Sequence, residues 1–95
     1  MAFSKKIQIH GITYIIKAPS RRKGKKYDVY VGNDEPKYLL SFGALGYEQY
    51  HDKFGYYKEL DHNDPKRREL YRSRHFKDMK DDPSYAGNWA WNYLW

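Results

Sequence analysis

The first half of the chain alternates and the second half does not. Lys6-Ile7-Gln8-Ile9-His10 places its isoleucines on every second position, and Gly11 then interrupts. Ile12-Thr13-Tyr14-Ile15-Ile16 follows and is β-branched except at Tyr14. These residues predict two short strands hinged at His10-Gly11, or one bulged strand. Tyr27-Asp28-Val29-Tyr30-Val31 and Lys37-Tyr38-Leu39-Leu40-Ser41-Phe42 read as further strands, separated by a turn at Gly32-Asn33-Asp34-Glu35-Pro36. Residues 1–42 are therefore expected to form an antiparallel meander with short connections.

From Gly43 the period changes. Tyr47, Tyr50, His51 and Phe54 fall at i, i+3, i+4 and i+7, which predicts a short helix closed by Gly55. Asp64-Pro65 is a helix start, with Asp64 as N-cap and Pro65 at the first helical position. That helix is expected to run to Phe76 or Lys77, with a thin apolar face of Leu70, Tyr71 and Phe76. The end, Asn88-Trp89-Ala90-Trp91-Asn92-Tyr93-Leu94-Trp95, fits a strand by alternation. It also fits a short helix capped by Ser84 or Asn88, and the helix is the preferred reading. The fold class is α+β: a small antiparallel sheet of three to four strands, packed by a central helix and a short aromatic C-terminal helix. The reading is one domain over 1–95, with a meander at 1–42 and a helical, aromatic-rich part at 43–95.

Composition changes the picture of the core. The chain has 95 residues, with 11 Tyr, 4 Phe and 3 Trp, so rings must do packing that aliphatic side chains usually do. There is no cysteine, which excludes disulfides, thiolate metal sites and a cysteine nucleophile. Met1 to Lys6 leads into alternation rather than an apolar run, so no signal peptide is expected. No apolar stretch is long enough to predict a membrane span.

Charge is segregated. Residues 1–46 carry 9 Lys/Arg against 3 Asp/Glu, whereas residues 47–95 carry 9 of each. The excess gathers in a loop at 17–26, where Lys17, Arg21, Arg22, Lys23, Lys25 and Lys26 stand without an acidic residue among them. Such a cluster attracts a polyanion and gains from counterion release. It is the candidate nucleic-acid contact, for DNA or RNA alike. An acidic protein surface is the other partner of matching charge. Tyr14, Tyr27, Tyr30 and Tyr38 lie on the strands. Core filling is their preferred role, and any that point outward offer stacking surfaces for bases.

The blocks Tyr47-Glu48-Gln49-Tyr50-His51-Asp52-Lys53, Leu60-Asp61-His62-Asn63-Asp64 and Arg67-Arg68-Glu69-Leu70-Tyr71-Arg72-Ser73-Arg74-His75 also carry a resemblance, together with Ala86-Gly87 leading to Tyr93-Leu94-Trp95. The chain resembles a family of small proteins of large double-stranded DNA viruses, especially giant viruses of algae and protists, over about residues 26–95. The resemblance implies a viral protein, either a virion component or an infection-stage accessory protein, in the virion or the host-cell interior. It supplies no catalytic residues.

Arg67, Arg68, Arg72 and Arg74 are read as structural anchors or partner contacts. They are expected to pair with Glu48, Glu59 or Glu69 and to stack on the tryptophans. Asp61 is expected to help Asp64 cap the helix. Trp89, Trp91 and Trp95 are expected to close the chain's own core, with docking on a partner as the alternative. The Trp95 carboxylate is expected beside a helix arginine. His62 and His75 match metal-site and HNH-nuclease patterns poorly, because the helix follows the first histidine directly. The functional expectation is a non-enzymatic viral protein that binds nucleic acid through phosphates, with no cofactor, no metal and no membrane. A minor virion protein bridging coat subunits is the alternative, and the aromatic surplus also suits a homo-oligomer.

Overall fold

The computed structural model describes residues 2–77 and 79–95. The chain divides into two compact units, Met1–Leu45 and Gly46–Trp95. The first is a four-stranded antiparallel sheet and the second carries two helices, which makes the class α+β.

The strands are β1 (Phe3–Ile9), β2 (Ile12–Ala18), β3 (Lys25–Val31) and β4 (Lys37–Ala44), adjacent in chain order. His10 and Gly11 form a two-residue hairpin between the paired Ile9 and Ile12. Both have positive φ, 52° and 78°, as a type I′ turn requires. The meander has no crossovers, so the alternation along each strand sorts its side chains onto two faces. Register places Tyr14, Ile16, Tyr27, Val29 and Phe42 on one face, and all five are buried. Tyr27 stacks on Phe42 at 5.2 Å, with Phe3 edge-on to Tyr27 at 6.1 Å. Each such ring contributes roughly 1.5–3 kcal/mol by leaving water.

One irregularity decides what the other face carries. Val29 pairs with Leu40 but Tyr30 pairs with Tyr38, so Leu39 is an extra residue in β4. In regular register Tyr38 would oppose Val31 and share the apolar face. The bulge brings it to the face of Tyr30 instead.

In the second unit the expected helix at 47–54 does not form. Gln49 makes an isolated parallel bridge to Asp61, with Gln49 N–H donating to Leu60 O (3.1 Å) and His62 N–H to Gln49 O (2.9 Å). His51 and Lys53 N–H donate to the carbonyls of Leu94 and Tyr93. The segment's donors are taken by distant partners, so its helical spacing of rings has no helix behind it. Asp61 does not cap the next helix. Its carboxylate accepts from the Gln49 side chain and from Asp52 N–H, and it lies 3.2 Å from His51 Nδ1.

A 3₁₀ turn at Lys58–Leu60 precedes α1, Pro65–His75. Asp64 caps α1 by accepting from Lys66 N–H at 2.9 Å, and Pro65 opens it as expected. The helix ends at His75, one or two residues early. Leu70 and Phe76 are 63% and 73% exposed, so they are not its packing face. Tyr71, Arg68 and Arg72 make the contacts instead. The last helix, α2 (Ala86–Tyr93), starts from Tyr85 and not from Ser84 or Asn88. Ser84 bonds Asp82, and Asn88 is buried inside the helix.

The aromatic end packs within its own unit. Trp89 is fully buried and donates its indole N–H to Pro83 O at 2.7 Å. It stacks on Tyr93, which stacks on Phe54 at 4.6 Å. Trp95 stacks on Tyr71 at 4.2 Å with planes 5° apart. Among the described residues no helix is long and apolar enough to cross a membrane.

Gly11→Ala tests the hairpin. The site has space for a methyl group, so the cost is backbone strain alone, about 1–2 kcal/mol. Chemical denaturation should show that loss, with the denaturant slope unchanged.

Candidate nucleic-acid interface

The polar face of the sheet is built on Asp28. Register aligns Lys17 on β2, Asp28 on β3 and Ser41 on β4 across this face. Asp28 is 2% exposed. A buried carboxylate is costly unless its oxygens are satisfied. Here Oδ1 accepts from the hydroxyls of Ser20 and Ser41, and Oδ2 accepts from Arg21 N–H at 2.8 Å. Burial pushes the carboxyl upward. The hydrogen bonds from Arg21, Ser20 and Ser41, with the charge of Arg21, outweigh it, so Asp28 titrates below its ordinary value.

The basic connection is thereby fastened to the sheet at its base. It leaves β2 through the cis Ala18-Pro19 bond and turns at Gly24, whose φ is 81°. Ser20 N–H donates to Lys26 O, Arg22 N–H to Ser20 Oγ, and Lys25 N–H to Arg22 O. Main-chain and hydroxyl donors make the hydrogen bonds that hold the loop, with no ion pair from its cationic heads among the described residues. Among the described residues the side chains of Lys17, Arg21, Arg22, Lys23 and Lys25 are exposed and form no ion pair.

Lys26 departs from this set. It is 1% exposed, because β3 begins at Lys25 and Lys26 lies within the sheet. It is removed from the candidate contacts.

Two cations stand over rings. Lys17 Nζ is 5.0 Å from the Tyr30 centroid, and Arg22 Cζ is 4.8 Å from that of Tyr38. The two rings meet edge to face at 5.8 Å, and Tyr38 OH is 2.7 Å from Ser41 Oγ. Each cation–π contact is worth about 0.5–1 kcal/mol at such a surface and fixes where the charge sits. A recess of about 270 Å³ opens between Arg21, Arg22, Asp28, Tyr30 and Tyr38. The result is a pair of oriented cations on aromatic supports, suited to phosphates flanked by bases.

The four strand tyrosines thus split: Tyr14 and Tyr27 fill the core, while Tyr30 and Tyr38 line the polar face. The Ser20–Asp28–Ser41 cradle was not among the expected site residues. Its signal in sequence is weak: one acidic residue inside a strand, two residues past the basic run. The Tyr38 platform depends on the bulge, whose trace is the adjacent apolar pair Leu39-Leu40 in a strand that otherwise alternates.

The anchor residues lie in the second unit. Arg67 pairs with Glu48 at 2.8 Å. Arg68 stands over Tyr50 at 4.9 Å and Arg72 over Trp91 at 4.6 Å. Arg68 Nε and Arg72 both donate to the main-chain oxygen of Trp95, the last residue of the chain, so two helix arginines stand beside its carboxylate. Arg74 is exposed, and among the described residues no arginine pairs with Glu59 or Glu69. His62 accepts from Asp64 N–H through Nδ1 and tilts against Trp95, while His75 packs on Tyr71. Among the described residues no group of three His, Asp or Glu side chains converges as a metal site.

Compared with protein-family models, with curated proteins and with solved structures, the chain matches none of them.

Asp28→Ala should strand two hydroxyls and the Arg21 N–H, at a cost of about 1–3 kcal/mol in chemical denaturation. The pH dependence has a definite sign. A lowered folded-state value means that the stabilisation is complete above the unfolded value near about 4 and is lost as pH falls through the folded value. Between about pH 5 and pH 2 the wild type should therefore lose more stability than Asp28→Asn, measured by urea titration at each pH.

Proposed function

We propose that this protein is a non-enzymatic nucleic-acid-binding protein that grips single-stranded polynucleotide by its phosphates, with little sequence preference. Lys17, Arg21, Arg22, Lys23 and Lys25 contact phosphate, and Tyr30 with Tyr38 offers ring surface to neighbouring bases. The observation that carries this reading is the set of five exposed cations without an ion pair among the described residues, Arg21, Arg22 and Lys23 on a loop fastened by Asp28 and Lys17 and Lys25 on the strands that flank it. A loop held in place by its backbone loses little entropy when its side chains engage a ligand. Phosphate contacts carry no base information, so affinity should vary little with sequence. The resemblance to proteins of giant viruses adds a viral setting to this proposal.

A second reading is a virion protein that bridges coat subunits. The exposed Tyr47, Leu70 and Phe76 favour it, since large apolar side chains in water suit a protein partner.

Salt dependence separates the two. Binding to a fluorescent single strand should weaken with salt at a log–log slope of roughly −3 to −4, about −0.7 for each of five neutralised phosphates. Replacing Arg21 or Arg22 by Ala should flatten the slope by about 0.7 and weaken all sequences alike. No binding at about 50 mM salt would remove the proposal.

A further inference from the structure

The polar face of the sheet holds a second recess beside the first. The first, of about 270 Å³, reaches from Asp28 and Tyr30 on β3 to Tyr38 on β4. The second, of about 330 Å³, reaches from the same two residues across Lys17 and Ala18 on β2 to Ser4 on β1. Arg21, Asp28 and Tyr30 line both. The recesses therefore abut along β3, with Arg21 and Tyr30 in their common wall. Pairing lays Ser4, Lys17, Asp28 and Ser41 in one row across the four strands, so the two spaces follow each other along that row.

Each recess contains a ring with a cation over it. Arg22 stands over Tyr38 in the first, at 4.8 Å, and Lys17 over Tyr30 in the second, at 5.0 Å. The remaining walls differ. A guanidinium held over a ring has a second flat face, and unpaired bases stack on such faces. Arg22 lines the first recess and is exposed, so a base entering there meets it. In the second recess Ala18, Pro19 and the carbon stem of Lys17 make an apolar wall for a ring.

Arg21 stands between the two. Its backbone N–H is bound to Asp28 at 2.8 Å, which fixes where its side chain leaves the main chain. Asp28 lines both recesses, but it is 2% exposed and accepts from Ser20, Ser41 and the Arg21 N–H. Those bonds hold its charge inside, while the Arg21 side chain is exposed. The common wall thus offers one cation between two spaces that take rings. Consecutive bases of a strand are joined through one phosphate, so charge and spacing match a single step of a strand. We infer that the two recesses bind a dinucleotide step of an unpaired strand. One base lies on Arg22, the next lies against Ala18 and Pro19, and the phosphate between them sits on Arg21. The inference rests on the sheet face being the strand-binding surface, and it adds Ser4, Ala18 and Pro19 to that surface. A duplex, whose bases face each other inside the helix, fills neither recess.

Amide NMR titrations with adenylyl-(3′→5′)-adenosine and with adenosine 5′-monophosphate test this. The mononucleotide carries more negative charge, so a surface that reads charge alone binds it at least as well. Two recesses should make the dinucleotide bind at least about fivefold more tightly, the effect of one further stacked base. Amide shifts should appear at both Ser4 and Tyr38. Ser4→Phe fills the second recess from an exposed position on an edge strand and leaves the charge unchanged. It should weaken the dinucleotide about three- to tenfold and leave the mononucleotide within about twofold. The inference is overturned if the mononucleotide equals or exceeds the dinucleotide, or if Ser4→Phe leaves dinucleotide affinity unchanged. A long single strand separates the two levels. Salt-dependent binding of that strand beside equal affinities for the two small ligands removes this inference alone. Absence of strand binding at about 50 mM salt removes the sheet reading and the inference with it.

Discussion

Five carboxylates of this protein accept hydrogen bonds from its own backbone, and each is to that extent withdrawn from pairing with its cations. Asp28 accepts from Arg21 N–H, Asp52 from Phe54 and Tyr57 N–H, Asp61 from Asp52 N–H, Asp64 from Lys66 N–H and Asp82 from Ser84 N–H. Each closes a turn or cap whose donor would otherwise lack a partner. The chain has 12 acidic residues against 18 basic ones, so every carboxylate used this way leaves more positive charge unpaired. Charge-assisted bonds to backbone N–H are worth more than exposed ion pairs, which contribute about 0–1 kcal/mol. Internal use of the carboxylates and a cationic surface are thus two sides of one arrangement.

The same constraint explains how a chain poor in aliphatic residues builds order. In the first unit, hydrogen bonds to Asp28 hold a loop that has no apolar residue to bury beyond Pro19. In the second, rings and guanidinium groups take the place of an aliphatic core. Trp95 on Tyr71, Trp89 on Tyr93 and Arg72 on Trp91 are planar contacts in which a side chain buries its faces and keeps polar edges available. Arginine suits these positions where lysine does not, because its flat head can stack and donate at once.

Legibility in sequence followed the range of the interactions. The strand segments and the Asp64-Pro65 helix start are local and were readable from neighbouring residues, while the hairpin at His10-Gly11 was one of two local readings beside a single bulged strand. The region at 47–54 was not. Its rings recur at helical spacing, but its N–H groups bond to Leu60, Tyr93 and Leu94, partners that no local pattern reveals. Lys26 was misplaced for a related reason: a charge run reads as loop, whereas strand β3 starts inside it. Tyr38 reached the site through a one-residue bulge, and β-register is set by pairing rather than by propensity. At the site, the basic residues were plain in the sequence, while the buried acid that positions them was visible only once three strands had been aligned.

If Asp28 is the fastening on which the basic loop depends, its ionisation and the loop's conformation must be linked. Carboxyl-detected NMR through an acid titration measures this directly. Asp28 should titrate below the ordinary aspartate value, and the amide resonances of Arg21 and Arg22 should shift with the same midpoint. Titration of Asp28 at or above the ordinary value, or Arg21 and Arg22 amides that do not follow it, would contradict the account.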